Sequence, residues 1–221
     1  MCVLWTVICA ATVMFSQKRY LPKLRKDVLE EGKSEANTVE VCRGHVIIIA
    51  MLVIGAAACG VLVGRREYAW PDVLRLLVAQ SVLTTITLTD IELYRIPNAC
   101  VLVLVFGRTI ATVTELLFGI PFWGQRLLAD VVGGVIILLC MLIVAKVAGG
   151  GLGYGDVKLL GGLTLLLGIR RAIYILLFSF FLCALFSAVL LFAKKKGLKD
   201  DLPLGPFIWL GFITTIFVGV C

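Results

Sequence analysis

The sequence carries little charge for its length: 16% of its 221 residues are charged and 61% are hydrophobic, with a mean hydropathy of +1.05. Soluble domains are usually about a quarter charged and about half apolar. The shortage of charge therefore argues against a soluble core. Apolar runs near the roughly 20 residues that a membrane-spanning helix needs predict a polytopic membrane protein.

Signals for metal or nucleic-acid binding are scarce as well. The single histidine, His45, lies where a loop meets an apolar run, and no two of the eight cysteines have the CxxC spacing of a metal or redox motif. The net charge of +7 comes mostly from Lys and Arg in connections between apolar runs, not from a basic face on a soluble domain. We therefore expect no metal, no cofactor and no nucleic-acid partner.

What the sequence does contain is apolar runs. The first, over residues 1–16, either spans the membrane or lies in its interface. A hydrophilic stretch over 17–44 predicts a cytoplasmic loop, and residues 45–221 predict a domain of seven helices. The sixth run is short unless it begins in the glycine-rich stretch before it. The approximate bounds of the eight runs are 2–16, 45–63, 73–93, 98–118, 127–147, 157–169, 172–193 and 206–221.

The distribution of Lys and Arg predicts the orientation. Fourteen lie in connections on one side and six on the other, with Arg108 left inside a span. The positive-inside rule makes the richer side cytoplasmic, so we expect an all-α fold with about eight spans and both termini outside. Spans three and six then run in opposite directions. Asp90, near the end of the third, and Asp156, near the start of the sixth, therefore meet at the cytoplasmic boundary.

Acidic residues inside apolar spans are functional candidates by default. Three of them have simpler explanations. Asp130 follows Arg126 by four residues, which predicts a pair on the helix surface. Glu115 and Asp72 lie near span ends, where they can reach headgroups or water.

The remaining two carboxylates lie where the chain is broken. Asp90 precedes Ile96-Pro97-Asn98, and a proline at this point ends a helix. Asp156 follows Gly153-Tyr154-Gly155, and glycine allows the close approach of another backbone, such as an extended substrate. Close packing of membrane helices is the alternative explanation for the glycines.

Two carboxylates at one boundary do not both ionise easily, so they share a proton. The ionised carboxylate can take a proton from water while the protonated one polarises a peptide carbonyl. This is the chemistry of an aspartic protease and requires no metal. Which aspartate begins as the base stays open.

The residues around both aspartates resemble the type IV prepilin peptidases. Residues 153–160, GYGDVKLL, are similar to the GxGD-x-KL signature of that family. Asp90 with Pro97 seven residues later resembles its first catalytic motif, and residues 202–207, LPLGPF, resemble the turn that opens its last span. The resemblance implies that Asp90 and Asp156 are the catalytic pair and that four residues shape the site: Gly153, Gly155, Pro97 and Lys158. Lys158 either stabilises negative charge there or snorkels to the interface.

The resemblance also implies a function. The family contains aspartic endopeptidases, hydrolases of the prokaryotic cytoplasmic membrane. They cut the short basic leader from prepilins or pseudopilins at the cytoplasmic face, for a type IV pilus or for protein secretion, with lipids around them. Larger members also methylate the new N-terminus and carry paired CxxC motifs. Here the corresponding loop has only Cys42, so N-methyltransferase activity is not expected.

Two alternatives remain. One is a GxGD intramembrane protease of the presenilin or signal-peptide-peptidase type, although those carry a Tyr-Asp pair and a Pro-Ala-Leu motif, and this chain has Thr89-Asp90 and no Pro-Ala-Leu. The other is a proton-coupled transporter that uses two intramembrane acids. The lack of matching halves, and carboxylates at the boundary instead of the midplane, argue against a transporter.

Overall fold

The computed structural model describes residues 2–15, 41–65, 68–147, 153–192 and 203–219. These residues form eight helices and no strand, which confirms the all-α class. The helices are α1 (Cys2–Phe15), α2 (Val41–Arg65), α3 (Trp70–Leu93), α4 (Asn98–Leu117), α5 (Trp123–Val147), α6 (Tyr154–Leu167), α7 (Ile169–Phe192) and α8 (Gly205–Val218). Most of the predicted loop over 17–44, and Cys42's side chain with it, lies outside the described residues.

Four of the described helices, α3, α4, α5 and α7, are long and apolar enough to cross a bilayer. α6 and α8 have 14 residues each, a length of about 21 Å at 1.5 Å per residue. Several apolar helices of membrane length indicate a multi-pass membrane protein. The predicted number of eight spans and the predicted location of both termini stay predictions.

The chain divides into two compact units, residues 1–67 and residues 68–221. In the first unit, α1 packs against α2. Trp5 is buried in this contact, and its ring lies directly over Gly60. The second unit holds α3 to α8 and both candidate aspartates. The predicted seven-helix domain over 45–221 stays a prediction, since α2 groups with α1.

Two helices lie at the centre of the second unit. α3 contacts α4, α6 and α8. Of an apolar 18-residue stretch of α3, 61% is buried, whereas the corresponding stretch of α7 is 11% buried. α6 contacts α3, α4, α5 and α7, and Leu104 of α4 and Leu138 of α5 pack against its glycines 161 and 162. Because protein surrounds α6 on these sides, a helix shorter than a span is accommodated within the bundle.

Local sequence explains where these helices begin and end. α3 starts with Pro71 in its first turn, and Pro97 is the N-cap of α4, as its fixed φ near −65° favours. α6 begins at Tyr154, inside the glycine-rich stretch, which confirms the alternative that the sequence left open. Gly168, with φ 87°, ends α6 after 14 residues. Asp90 therefore lies in the last turn of one central helix and Asp156 in the first turn of the other.

Candidate active site

Asp90 is held at the end of α3 by the start of α8. Its side chain is buried, with 6% of the residue's surface exposed. Its Oδ2 accepts a hydrogen bond of 2.7 Å from the backbone N–H of Gly205, the first residue of α8. The first N–H groups of a helix have no partner within the helix and attract anions. Asp90 therefore supplies an acceptor for the N-terminus of α8.

The contact between Asp90 and α8 requires glycine at position 205. A Cβ at this position would lie 2.9 Å from Asp90 Oδ2 and 3.1 Å from Asp90 Cβ, closer than real Cβ atoms pack. The two residues are 115 positions apart in the chain. Gly205 therefore belongs to the site, although it lies in the last helix.

Asp156 is held by its own helix. It is the third residue of α6, and the backbone N–H of the N-cap Gly153 donates a hydrogen bond to its carboxylate. This is half of a capping box, in which an acidic residue at the third position reaches back to the N-cap. Asp156 is only partly buried, so it lies more open than Asp90.

The two aspartates interact electrostatically. Burial, followed by the nearby charge of Asp90, raises the pKa of Asp156 to about 7, while the Gly153 hydrogen bond acts in the opposite direction. Near neutral pH, Asp156 is therefore poised to hold or release a proton next to Asp90. This is the arrangement that general acid–base chemistry with two carboxylates needs.

The other predicted site residues lie at the same end of the unit. Gly155 packs against Ile96, so closely that a Cβ on Gly155 would lie 3.1 Å from Ile96 Cβ. Lys158 Nζ is 3.5 Å from Asn98 Oδ1, at the start of α4. Pro97 stands between these two contacts, and Gly153 caps α6. The structure thus brings together Asp90, Asp156 and the four residues predicted to shape the site.

A second group of charged residues corrects the interpretation of the other acids. Glu115 is 1% exposed and bonds to Arg75, so it does not reach headgroups or water. Asp130 is buried 2.9 Å from Arg108, so the predicted surface pair with Arg126 is wrong. Asp72 is the most exposed of the three acids and lies 3.7 Å from Arg75.

We call this group the ionic cluster. It consists of Asp72, Arg75, Arg108, Glu115, Asp130 and Arg171. Arg75 precedes Asp90 by 15 residues on α3, which is about 22 Å along a helix axis. The cluster therefore lies near the opposite end of the helix from Asp90.

Sequence reasoning missed the ionic cluster and the contact made by Gly205. Arg108 inside a span was the available signal for the cluster, because a buried arginine needs anionic partners. The signal for Gly205 was its place in a proline-flanked turn at the start of an apolar run. Neither signal specified the partner.

Within the part of the chain that the structure describes, no group of three or more His, Cys, Asp or Glu side chains is arranged to hold a metal ion. The expectations that the site uses neither a metal nor a cofactor stay predictions.

A helical membrane protein with two interacting carboxylates at one end of its bundle is the class that fold and site define. Residues 77–188, slightly more than half of the chain, match the type IV leader peptidase family, and the chain belongs to that family. The matched segment contains both Asp90 and Asp156. The predicted family membership is thereby confirmed.

Two curated relatives carry the name prepilin leader peptidase/N-methyltransferase. One, from Bacillus subtilis (strain 168), is 28% identical over 163 residues, which cover 74% of this chain and 61% of the relative. The other, from Burkholderia pseudomallei (strain 1026b), is 33% identical over 107 residues, 45% of this chain and 35% of the relative. The matches thus span between about a third and three fifths of the relatives' own lengths. No solved structure matches the chain.

Proposed function

We propose that this protein is a membrane-embedded aspartic endopeptidase that removes the short basic leader peptide from type IV prepilins or pseudopilins. The observation that carries the proposal is the pairing of Asp90 with Asp156 at one end of the bundle, in a chain of the type IV leader peptidase family. The reaction runs at the cytoplasmic face of a prokaryotic cytoplasmic membrane, with eight spans, both termini outside and lipids around the bundle.

In the proposed mechanism the two carboxylates share one proton. The ionised carboxylate takes a proton from water, whose oxygen attacks the carbonyl carbon of the scissile peptide bond. The protonated carboxylate donates to the carbonyl oxygen. Collapse of the tetrahedral intermediate breaks the C–N bond while one of its two hydroxyl groups returns a proton to the dyad, and the leaving amine takes a proton from the dyad. The dyad thus ends each cycle with the same number of protons, and no metal is required.

The contacts around the aspartates support this assignment. The Gly205 N–H donates to one oxygen of the buried Asp90, while Asp156 is only partly buried and so is more open to a substrate. Gly153 is exposed and has no side chain, so an extended substrate backbone has room beside the start of α6, whereas Gly155 is packed against Ile96. The substrate's apolar helix would stay in the bilayer.

We propose peptidase activity alone for the residues of this chain. The relatives are named as N-methyltransferases too, but the sequence over 17–44 lacks the paired CxxC motifs of the bifunctional members. Mass spectrometry of the cleaved product in the presence of a methyl donor tests this point. A methylated N-terminus made by purified enzyme would overturn it.

Leader removal from a co-expressed prepilin, read as a gel shift, tests the peptidase assignment. Asp90→Asn and Asp156→Asn should each abolish the shift while the protein stays folded in the membrane. Asp72→Asn is a matched control, since it makes the same change at the other end of α3 and should leave cleavage intact. Full cleavage by either dyad variant would refute the catalytic assignment.

A further inference from the structure

Two contacts join the first turn of α6 to the turn that precedes α4. Gly155 lies against Ile96, and Lys158 reaches Asn98 with 3.5 Å between Nζ and Oδ1. We call residues 96–98 the Ile96–Asn98 turn. It begins six residues after Asp90, whereas Asp156 lies 59 residues beyond its central residue, Pro97. The turn thus connects the two carboxylates physically by a short route.

The two aspartates differ in how they are fixed. Asp90 sits on a long central helix and is bonded to α8 through Gly205. Asp156 sits in the first turn of a 14-residue helix, and its carboxylate bonds to Gly153, the N-cap of that same helix. The Ile96–Asn98 turn supplies contacts to this first turn from another part of the chain.

We propose that the Ile96–Asn98 turn sets the position of Asp156 relative to Asp90, with Asn98 and Lys158 as positioning residues of the reaction. Ile96 packs against Gly155, and Asn98 accepts a hydrogen bond from Lys158. This inference rests on the proposed peptidase function and assigns Lys158 a structural partner, where sequence reasoning left it between charge stabilisation and snorkelling.

Exposure of both side chains makes the inference testable without creating cavities. Asn98 and Lys158 are exposed, so their truncation leaves no buried void and no buried unpaired group. Lys146, an exposed lysine near the end of α5, is a matched control of equal charge. In the second unit it belongs to a different helix from both residues of the contact.

The kinetic test uses purified full-length enzyme and a peptide comprising a prepilin leader and the residues that follow it. Asn98→Ala and Lys158→Ala should each lower kcat about tenfold with KM unchanged, because a displaced catalytic group slows chemistry without weakening substrate binding. The double variant should be no slower than either single variant. Asn98→Asp should retain the parental kcat, since a carboxylate accepts a charge-assisted bond from lysine.

Lys146→Ala should cleave like the parent enzyme. If the two single effects multiplied in the double variant, or if KM rose while kcat stayed constant, Asn98 and Lys158 would not act as one contact, and the inference would be overturned.

The contact between Gly155 and Ile96 is tested by enlarging one residue and reducing the other. Gly155→Ala places a Cβ 3.1 Å from Ile96 Cβ and should lower kcat. Ile96→Gly removes that nearest atom, so the double variant Gly155→Ala/Ile96→Gly should recover activity relative to Gly155→Ala alone. If the two single reductions in kcat multiplied in the double variant, the proposed contact between Gly155 and Ile96 would be contradicted.

A test that needs no substrate separates this inference from the proposed function. The amides of Asp156 and Val157 bond to the Gly153 carbonyl at 3.1 and 3.3 Å, and hydrogen–deuterium exchange reports how well this turn is held. Asn98→Ala and Lys158→Ala should speed exchange in residues 154–158, and Lys146→Ala should not. Unchanged exchange with parental kcat would refute the positioning role even if the parent cleaves prepilin. Faster exchange in the two variants, together with a parent that does not cleave prepilin, would support the contact and refute the peptidase assignment.

Discussion

The two ends of α3 bury carboxylates in different ways. In the ionic cluster, Glu115 and Asp130 lie against Arg75 and Arg108, so each buried anion has a cation partner. At the other end, Asp90 and Asp156 accept hydrogen bonds from backbone N–H groups. In the part of the chain that the structure describes, no Arg or Lys forms an ion pair with either aspartate.

This difference indicates that the bundle places stabilising charges at one end of α3 and reactive carboxylates at the other. A buried anion matched by arginine holds its charge and links helices, and removing one partner is costly. Two carboxylates without a cation instead compete for one proton, and perturbed titration of this kind is typical of functional sites. We therefore expect charge removal to have opposite consequences at the two ends.

The largest expected effect is on activity at the dyad. Asp156→Asn should lower leader cleavage by at least about 10²-fold, because it removes a group that transfers protons. The same change should leave the melting temperature equal or higher, since it removes a carboxylate that interacts unfavourably with Asp90. Cleavage assays and thermal unfolding in detergent check both parts. A strongly lowered melting temperature would indicate that Asp156 supports the fold instead.

A smaller loss of activity is expected when Asp90 is displaced and not removed. Gly205→Ala places a Cβ 2.9 Å from Asp90 Oδ2, which must push the carboxylate away from α8. A shift of about 1 Å in a catalytic group can cost up to about 10²-fold in rate. Gly124→Ala is the control, since a Cβ there meets nothing within 4 Å. Equal kcat values for the two variants would show that the α8 contact does not position Asp90.

The ionic cluster should give the opposite pattern. Arg108→Leu leaves Asp130 and Glu115 without one of their cations in a buried site, and breaking a buried ion pair in this way costs about 3–5 kcal/mol. Thermal unfolding should detect a clear destabilisation, while the variant that remains folded should still cleave. Loss of cleavage with an unchanged melting temperature would contradict the assignment of stability to the ionic cluster and of catalysis to the two aspartates.

The smallest expected effect is a pH dependence of stability at the dyad. The pKa of Asp156 is raised from 3.8 to about 7 in the folded protein, so the folded state binds this proton more tightly than the unfolded state. The stabilisation is present at low pH and is lost as pH rises through about 7. Two titratable groups on other helices interact electrostatically with Asp156, namely Asp90 on α3 and Cys183 on α7. Melting temperatures measured between roughly pH 5 and roughly pH 8 should decline more with rising pH in the parent than in Asp156→Asn. Parallel curves would contradict the assignment of this pH dependence to Asp156.

Local signals in the sequence predicted much of the dyad end. Pro97 marks the break after α3, and the early start of α6 inside the glycine-rich stretch was one of the two alternatives that the sequence left open. These signals work because proline and glycine act on the backbone within a few residues of their own position. The charge count then brought Asp90 and Asp156 to one boundary without any knowledge of packing.

The partners of buried charges were not predictable in this way. A four-residue spacing suggested Arg126 for Asp130, yet Arg108 of another helix is the partner that the bundle supplies. Glu115, near a span end, is enclosed and not open to headgroups, because Arg75 packs against it from α3. Spacing along one helix describes only neighbours on that helix, whereas burial depends on what the other helices cover.

The sequence by itself thus determined the all-helical, membrane-type composition, the breaks that end α3 and begin α6, and the placement of two aspartates at one end of the bundle. The tertiary structure alone decided that the Gly205 N–H donates to Asp90, 115 residues away in the chain, that Gly155 packs against Ile96, and that arginines from separate helices neutralise Glu115 and Asp130. The physical reason is range: backbone breaks are local properties of a residue, while a buried carboxylate takes whichever donor the packing of distant helices brings within reach.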